Sequence, residues 1–114
     1  MIIFSRKNLF KNKLTSIIIM TTKKAIFITT DANITMGDID TDDLFENYEL
    51  YSPISKYQLS IGVNPIHLLP KSKITLNSIV SRIYRGAVIG DCVIVSDDDN
   101  EIEPYYNELI ETYK

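Results

Sequence analysis

The residues whose spacing most resembles a site are carboxylates. In "DIDTDDLFENYE", from Asp38 to Glu49, the aspartates Asp38, Asp40 and Asp42 fall at positions 1, 3 and 5 of a twelve-residue window and Glu49 at position 12. That is the oxygen-ligand spacing of an EF-hand calcium loop. The frame around it differs. Position 6, where such a loop takes Gly for its sharp turn, is Asp43, the incoming segment "TTDANITMG" is rich in β-branched residues, and Pro53 interrupts the outgoing segment soon after Glu49. A second window, from Asp97 to Glu108, repeats the pattern with Asp97, Asp99, Glu101 and Glu108, but places Pro104 at position 8, where paired loops exchange a backbone hydrogen bond. A calcium-binding module built on Asp38–Glu49 and Asp97–Glu108 is therefore the alternative reading. The leading one takes the first window as a strand-to-helix junction, with Thr41 as N-cap and Asp42 and Asp43 in a first helical turn, where the dipole favours anions.

Other chemistry is sparse. His67 in "NPIHLLP" and Cys92 in an apolar run are single representatives of their types, and a nucleophilic pair would require them to meet in space with the thiolate stabilised. No phosphate-cradling, dinucleotide, nucleophile-elbow or zinc-protease motif is present, so catalytic activity is not expected. Lys71 and Lys73 stand just before a helix expected to begin near Thr75, so two ammonium groups and the helix amides form a candidate anion site.

The elements that must position these residues follow from periodicity. "KAIFITT" and "ITMGDI" read as strands joined by a turn at Asp31–Asn33, a hairpin over residues 25–39. "TDDLFENYELYSP" reads as a short helix, with Leu44, Tyr48 and Tyr51 at helical spacing and Pro53 as its stop. "YQLSIGV" alternates strictly, with Tyr57, Leu59, Ile61 and Val63 on one face. "NPIHLLPKSK" is loop-like, with a short apolar patch that must find cover. "TLNSIVSRIYRG" carries Leu76, Ile79, Val80 and Ile83 on one helical face, with Thr75 as cap and Gly86 past its end. "AVIGDCVIVS" is apolar on both faces, as a central strand is, with a break at Gly90 and Asp91. "PYYNELIETY" closes the chain as a helix that begins at Pro104 and turns Tyr106, Leu109, Ile110 and Tyr113 inward. The order β-β-α-β-α-β-α predicts an α+β domain: a mixed or antiparallel sheet of about four strands with two or three helices packed on one face.

At 114 residues the chain has room for one core. Charge is distributed unevenly along it. Residues 1–30 carry six basic side chains and no acidic ones, whereas residues 31–114 carry six basic against fifteen acidic. An acidic body of −9 argues against direct nucleic-acid binding, which needs a basic face. The leader "MIIFSRKNLFKNKLTSIIIM" has the wrong order for a secretory signal and is too short in apolar run to span a membrane. Residues 1–19 are expected to be a basic, disordered leader or an over-long start, with an organelle presequence as the alternative, and residues 20–114 a single acidic domain. The single cysteine permits no intramolecular disulfide and makes a reducing compartment such as the cytoplasm the default.

One segment carries a family likeness. "NSIVSRIYRGAVIGDCVIVSDDDNE" resembles the C-terminal half of a family of small domains of uncharacterised function found in phages, plasmids and large DNA viruses, in which an Asn and a short helix lead into an I-x-G-x-x-x-I-x strand, an acidic turn and a final helix. The matching residues are Asn77, Ile89, Gly90, Val93, Ile94, Val95 and the Asp97–Asp99 turn. The likeness is confined to the C-terminal third, and the Gly-Gly frequent in that family's N-terminal half is missing. It supplies no catalytic residues and implies an accessory role in a viral or mobile genome.

Taken together, these features predict a small acidic interaction or accessory protein without catalytic activity or cofactor. Its basic protein partner would meet a surface formed by Asp42, Asp43, Glu46, Asp97, Asp98, Asp99, Glu101 and Glu103. The alternative, calcium binding, would use Asp38, Asp40, Asp42 and Glu49.

Overall fold

The structure, a computed structural model, describes residues 21–53 and 55–113. The leader expectations concern residues outside that range. Among the described residues the fold is α+β, built on a five-stranded antiparallel sheet with three α-helices. In chain order the elements are β1 (Thr22–Ile28), β2 (Ile34–Asp40), α1 (Thr41–Asn47), β3 (Glu49–Tyr51), β4 (Leu59–Val63), α2 (Ser78–Tyr84), β5 (Cys92–Ser96) and α3 (Ile102–Tyr113). The strands lie side by side as β2-β1-β5-β4-β3. The expected hairpin is there, its register running from Thr22 opposite Asp40 to Ile28 opposite Ile34.

Both faces of the sheet are covered, and the period of two sorts the strand residues between them. On the first face Ile26 and Ile28 of β1, Leu59 and Ile61 of β4 and Cys92 and Ile94 of β5 pack under Ile79 and Val80 of α2 and Ile102, Tyr105 and Leu109 of α3. On the second, Ala25, Ile39, Val93 and Val95 pack with Leu44, the buried residue of α1. Two helices thus share one face as expected, and the third takes the other. β5 is central and all five of its residues are buried, as its two-sided apolar run predicts. Closing the second face leaves little room over β4: a Cβ on Gly62 would lie 2.7 Å from Val93 and 3.3 Å from both Leu50 and Tyr48.

Four boundaries differ from expectation, each for a local reason. The cap of α1 is Asp40, not Thr41: its Oδ1 accepts the Asp42 N–H at 2.9 Å, while Thr41 donates its own N–H to the Thr21 carbonyl. α1 then ends at Asn47 instead of reaching Pro53, because Glu49, Leu50 and Tyr51 pair with Val63, Gly62 and Ile61 as a fifth strand. The cap of α2 is Asn77, not Thr75, because Leu76 forms a bridge to Ile89 and holds the chain extended up to Asn77. α3 starts at Ile102, with Pro104 inside its first turn, so that Tyr105 is buried and Tyr106 only partly so.

Candidate functional site

The fold brings the two acidic runs to the same end of the sheet. β2 ends at Asp40 opposite Thr22, the start of β1, and β5 runs antiparallel to β1, so Ser96 and the turn beyond it lie toward that same start. Lys23 and Lys24 stand between the runs. The Lys23 ammonium lies 3.5 Å from Asp99 Oδ1, and the Lys24 N–H donates to Asp99 Oδ2 at 3.3 Å.

The carboxylates at this end divide into two kinds. Asp40, as above, and three more are tied into the fold. Asp98 caps the turn at Asp99–Glu101 by accepting the Asn100 N–H at 3.0 Å, Asp99 is tied to β1 as described, and Glu101 accepts the Ser96 hydroxyl at 2.8 Å and the Gln58 N–H at 3.1 Å. Asp42, Asp43 and Glu46 on α1, and Asp97 and Glu103 at the β5–α3 junction, are exposed, as is the capping Asp98. The acidic surface expected from the sequence therefore rests mainly on those six residues. Beside it, Lys24, Asp99, Asn100, Glu103, Pro104 and Asn107 line an open cleft of about 400 Å³.

The calcium set is not assembled. Asp38 and Asp40 lie on β2 and Glu49 on β3, the two opposite edges of the sheet, and Asp40 already accepts a helix N–H. In the second window Glu108 is held on α3 by the Tyr57 hydroxyl and by Lys56 at 3.0 Å, and Glu101 turns back into the fold. The Tyr57 bond, then Lys56, holds the Glu108 carboxyl below the usual carboxylate range. Among the described residues no three Asp, Glu, His or Cys side chains converge to hold a metal ion.

The expected anion site does not form either. Lys71 to Lys73 make a turn of 3-10 helix, and α2 begins only at Ser78, with its Val80 N–H donating to Asn77 Oδ1 at 3.1 Å. The Thr75 N–H donates to the Lys73 carbonyl, and the Lys73 ammonium lies 3.9 Å from Asp91. His67 and Cys92 do not form an activated pair. Cys92 is buried in the core, where desolvation and then the charge of Asp91 push its thiol up to about 12, so the nucleophilic thiolate is scarce at neutral pH.

A second surface lies at the edge formed by β3, where no sequence motif stands. Between β3 and the C-terminal end of α2 runs a groove of about 270 Å³, lined by Tyr51, Val63, Ile66, Tyr84, Val88 and Ile89 among others. The Tyr51 and Tyr84 rings stand 5.8 Å apart, tilted by 58°. The apolar patch in "NPIHLLPKSK" finds no full cover: Ile66 is 56 % exposed and Leu68 63 %. A composition signal was available there. Residues 57–90 contain Lys71, Lys73, Arg82 and Arg85 and no Asp or Glu, in a chain that is otherwise rich in acids.

No protein-family model, curated protein or solved structure matches the chain.

Proposed function

We propose that the protein is a small interaction module that binds a basic surface of a protein partner through the acidic end of its sheet. The observation that carries this reading is the convergence of two sequence-distant acidic runs, 38–46 and 97–103, on one end of the fold. Carboxylates held on a rigid sheet end raise the local negative potential, which speeds encounter with a basic partner and disfavours acidic ones. Lys23 moderates the charge by pairing its ammonium with Asp99, which leaves the exposed α1 carboxylates, Asp97, Asp98 and Glu103 as the contact set. An accessory role in a viral or mobile genome, as the C-terminal resemblance implies, fits a protein that works by occupying another protein's basic cleft.

The test is capture from an extract of the native source with the full chain and with a variant carrying Asp42→Asn, Asp43→Asn, Asp97→Asn and Glu103→Gln. A partner retained by the wild type, eluted by moderate salt and lost from the variant is expected. Capture that is indifferent to both salt and the four substitutions would rule the acidic end out.

A further inference from the structure

The groove beside β3 contains one charged side chain, the carboxylate of Glu49, and no Lys, Arg or His lines it. Glu49 and Tyr51 lie two apart on β3, opposite Val63 and Ile61 of β4, and so share one face of the sheet. Tyr84, the last residue of α2, lines the groove with them, its ring 5.8 Å from that of Tyr51 and tilted by 58°. Tyr51 is 42 % exposed and Tyr84 39 %, so both rings keep open surface. The Tyr51 hydroxyl donates to Glu49 Oε1 at 3.2 Å, and the Glu49 charge holds that phenol above its ordinary value, so it stays a donor. Among the described residues no lysine or arginine lies within ion-pair distance of Glu49.

A lone carboxylate beside two aromatic rings in an otherwise apolar groove matches one ligand chemistry, an organic cation on an apolar stem. Ring faces attract the cation, the carboxylate accepts its hydrogen bonds, and the apolar walls cover the stem. Arginine suits this set better than lysine. Its planar guanidinium stacks on a ring, bonds a carboxylate through two N–H groups at once and is less strongly hydrated. The groove volume of about 270 Å³ suits a side chain or two. β3 is also an edge strand, whose outer backbone N–H and C=O groups have no partner in the sheet, so an extended segment can lie along it. We infer that the groove receives an arginine side chain carried by an extended segment of a protein partner, with Glu49 bonding the guanidinium and Tyr51 and Tyr84 flanking it. The site is at the opposite end of the sheet from the acidic surface, since Glu49 pairs with Val63 and Val63 with Cys92, where β5 starts. Loss of either surface leaves the other intact.

The experiment is amide NMR of the full chain, titrated with a capped peptide of valine and threonine around one central arginine. A second titration uses the same peptide with citrulline, the neutral isostere, in place of arginine. Salt is kept high enough to screen the acidic end. Saturable shifts at Glu49–Tyr51, Ile66, Tyr84 and residues 87–89 are expected from the arginine peptide, and the citrulline peptide should bind about tenfold or more weaker. Glu49→Gln and Tyr84→Leu should each weaken the arginine peptide by about tenfold while the remaining amides stay in place. Equal binding of the citrulline peptide, an affinity unchanged in Glu49→Gln, or no shifts at millimolar peptide would overturn the inference. Shifts confined to residues 40–46 and 97–103 would overturn it too, and leave the acidic end standing as the contact. So would movement of the groove amides with protein concentration alone, which would make a second copy the occupant.

Discussion

Asn77 is the polar side chain on which most of this fold depends. It is fully buried, donates from Nδ2 to the Ile28 carbonyl at 2.9 Å and the Gly90 carbonyl at 3.0 Å, and accepts the Val80 N–H on Oδ1. One side chain thereby ties the end of β1, the break before β5 and the start of α2. Asn77→Ala removes three buried hydrogen bonds to backbone groups, leaving the Gly90 carbonyl only the weak Cys92 thiol donor, and is expected to cost about 3 kcal/mol, read as a lower urea midpoint at unchanged slope. A loss under about 1 kcal/mol would contradict that role. The sequence singled out Asn77 within a motif yet assigned the helix cap to Thr75. What it could not show was the Leu76–Ile89 bridge, a long-range pairing that postpones the helix by holding its first residues extended. Burial also sets a pH limit. It pushes the Tyr105 phenol and the Cys92 thiol each up to about 12, against ordinary values of 10.0 and 9.0. A raised folded pKa gives stability that is complete below the ordinary value and is lost as pH climbs toward the folded one. The urea midpoint should therefore hold up to about pH 9 and fall between about 9 and 12, with the last tyrosinate absorbance appearing only as the chain unfolds.

At the scale of elements, the legible parts were those with a full local pattern. The alternation of Leu59, Ile61 and Val63 and the continuous apolar run of β5 specify their strands without reference to anything distant. β3 was hidden because Tyr48 and Tyr51 continue the helical spacing of Leu44, while the pairing that makes "ELY" a strand comes from β4. α1 is the same lesson from the other side. With seven residues it is too short to persist alone, and the burial of Leu44, worth about 2 kcal/mol, holds it against the second face of the sheet. Two substitutions test the element boundaries. Gly62→Ala would force a methyl to within 2.7 Å of Val93 in a packed face and is expected to destabilise by about 1–3 kcal/mol in chemical denaturation. Arg85 ends α2 in the left-handed region at φ 65°, a conformation that favours glycine, so Arg85→Gly should stabilise by about 1 kcal/mol in the same assay.

At the scale of the molecule, charge follows the architecture. The acids of 38–46 and 97–103 gather at the end of the sheet where β1 starts, and the acid-free stretch 57–90 walls the groove beside β3. The acidic runs were visible in the sequence, and their meeting was not, since it depends on the β1–β5 register. Nor could the sequence show that Asp99 and Glu101 are half-buried and tied back to Lys23, Ser96 and Gln58, which shifts the contact surface toward α1, Asp97, Asp98 and Glu103. Among the described residues no helix is long and apolar enough to cross a membrane. The proposal that the acidic end is the partner-binding surface is tested most directly by amide NMR of the full chain titrated with a short arginine- and lysine-rich peptide at low salt. Shifts centred on residues 40–46 and 97–103, weakening steeply as salt is added, are the predicted result. Shifts spread evenly over all the carboxylates of the chain, or none at these two runs, would contradict it.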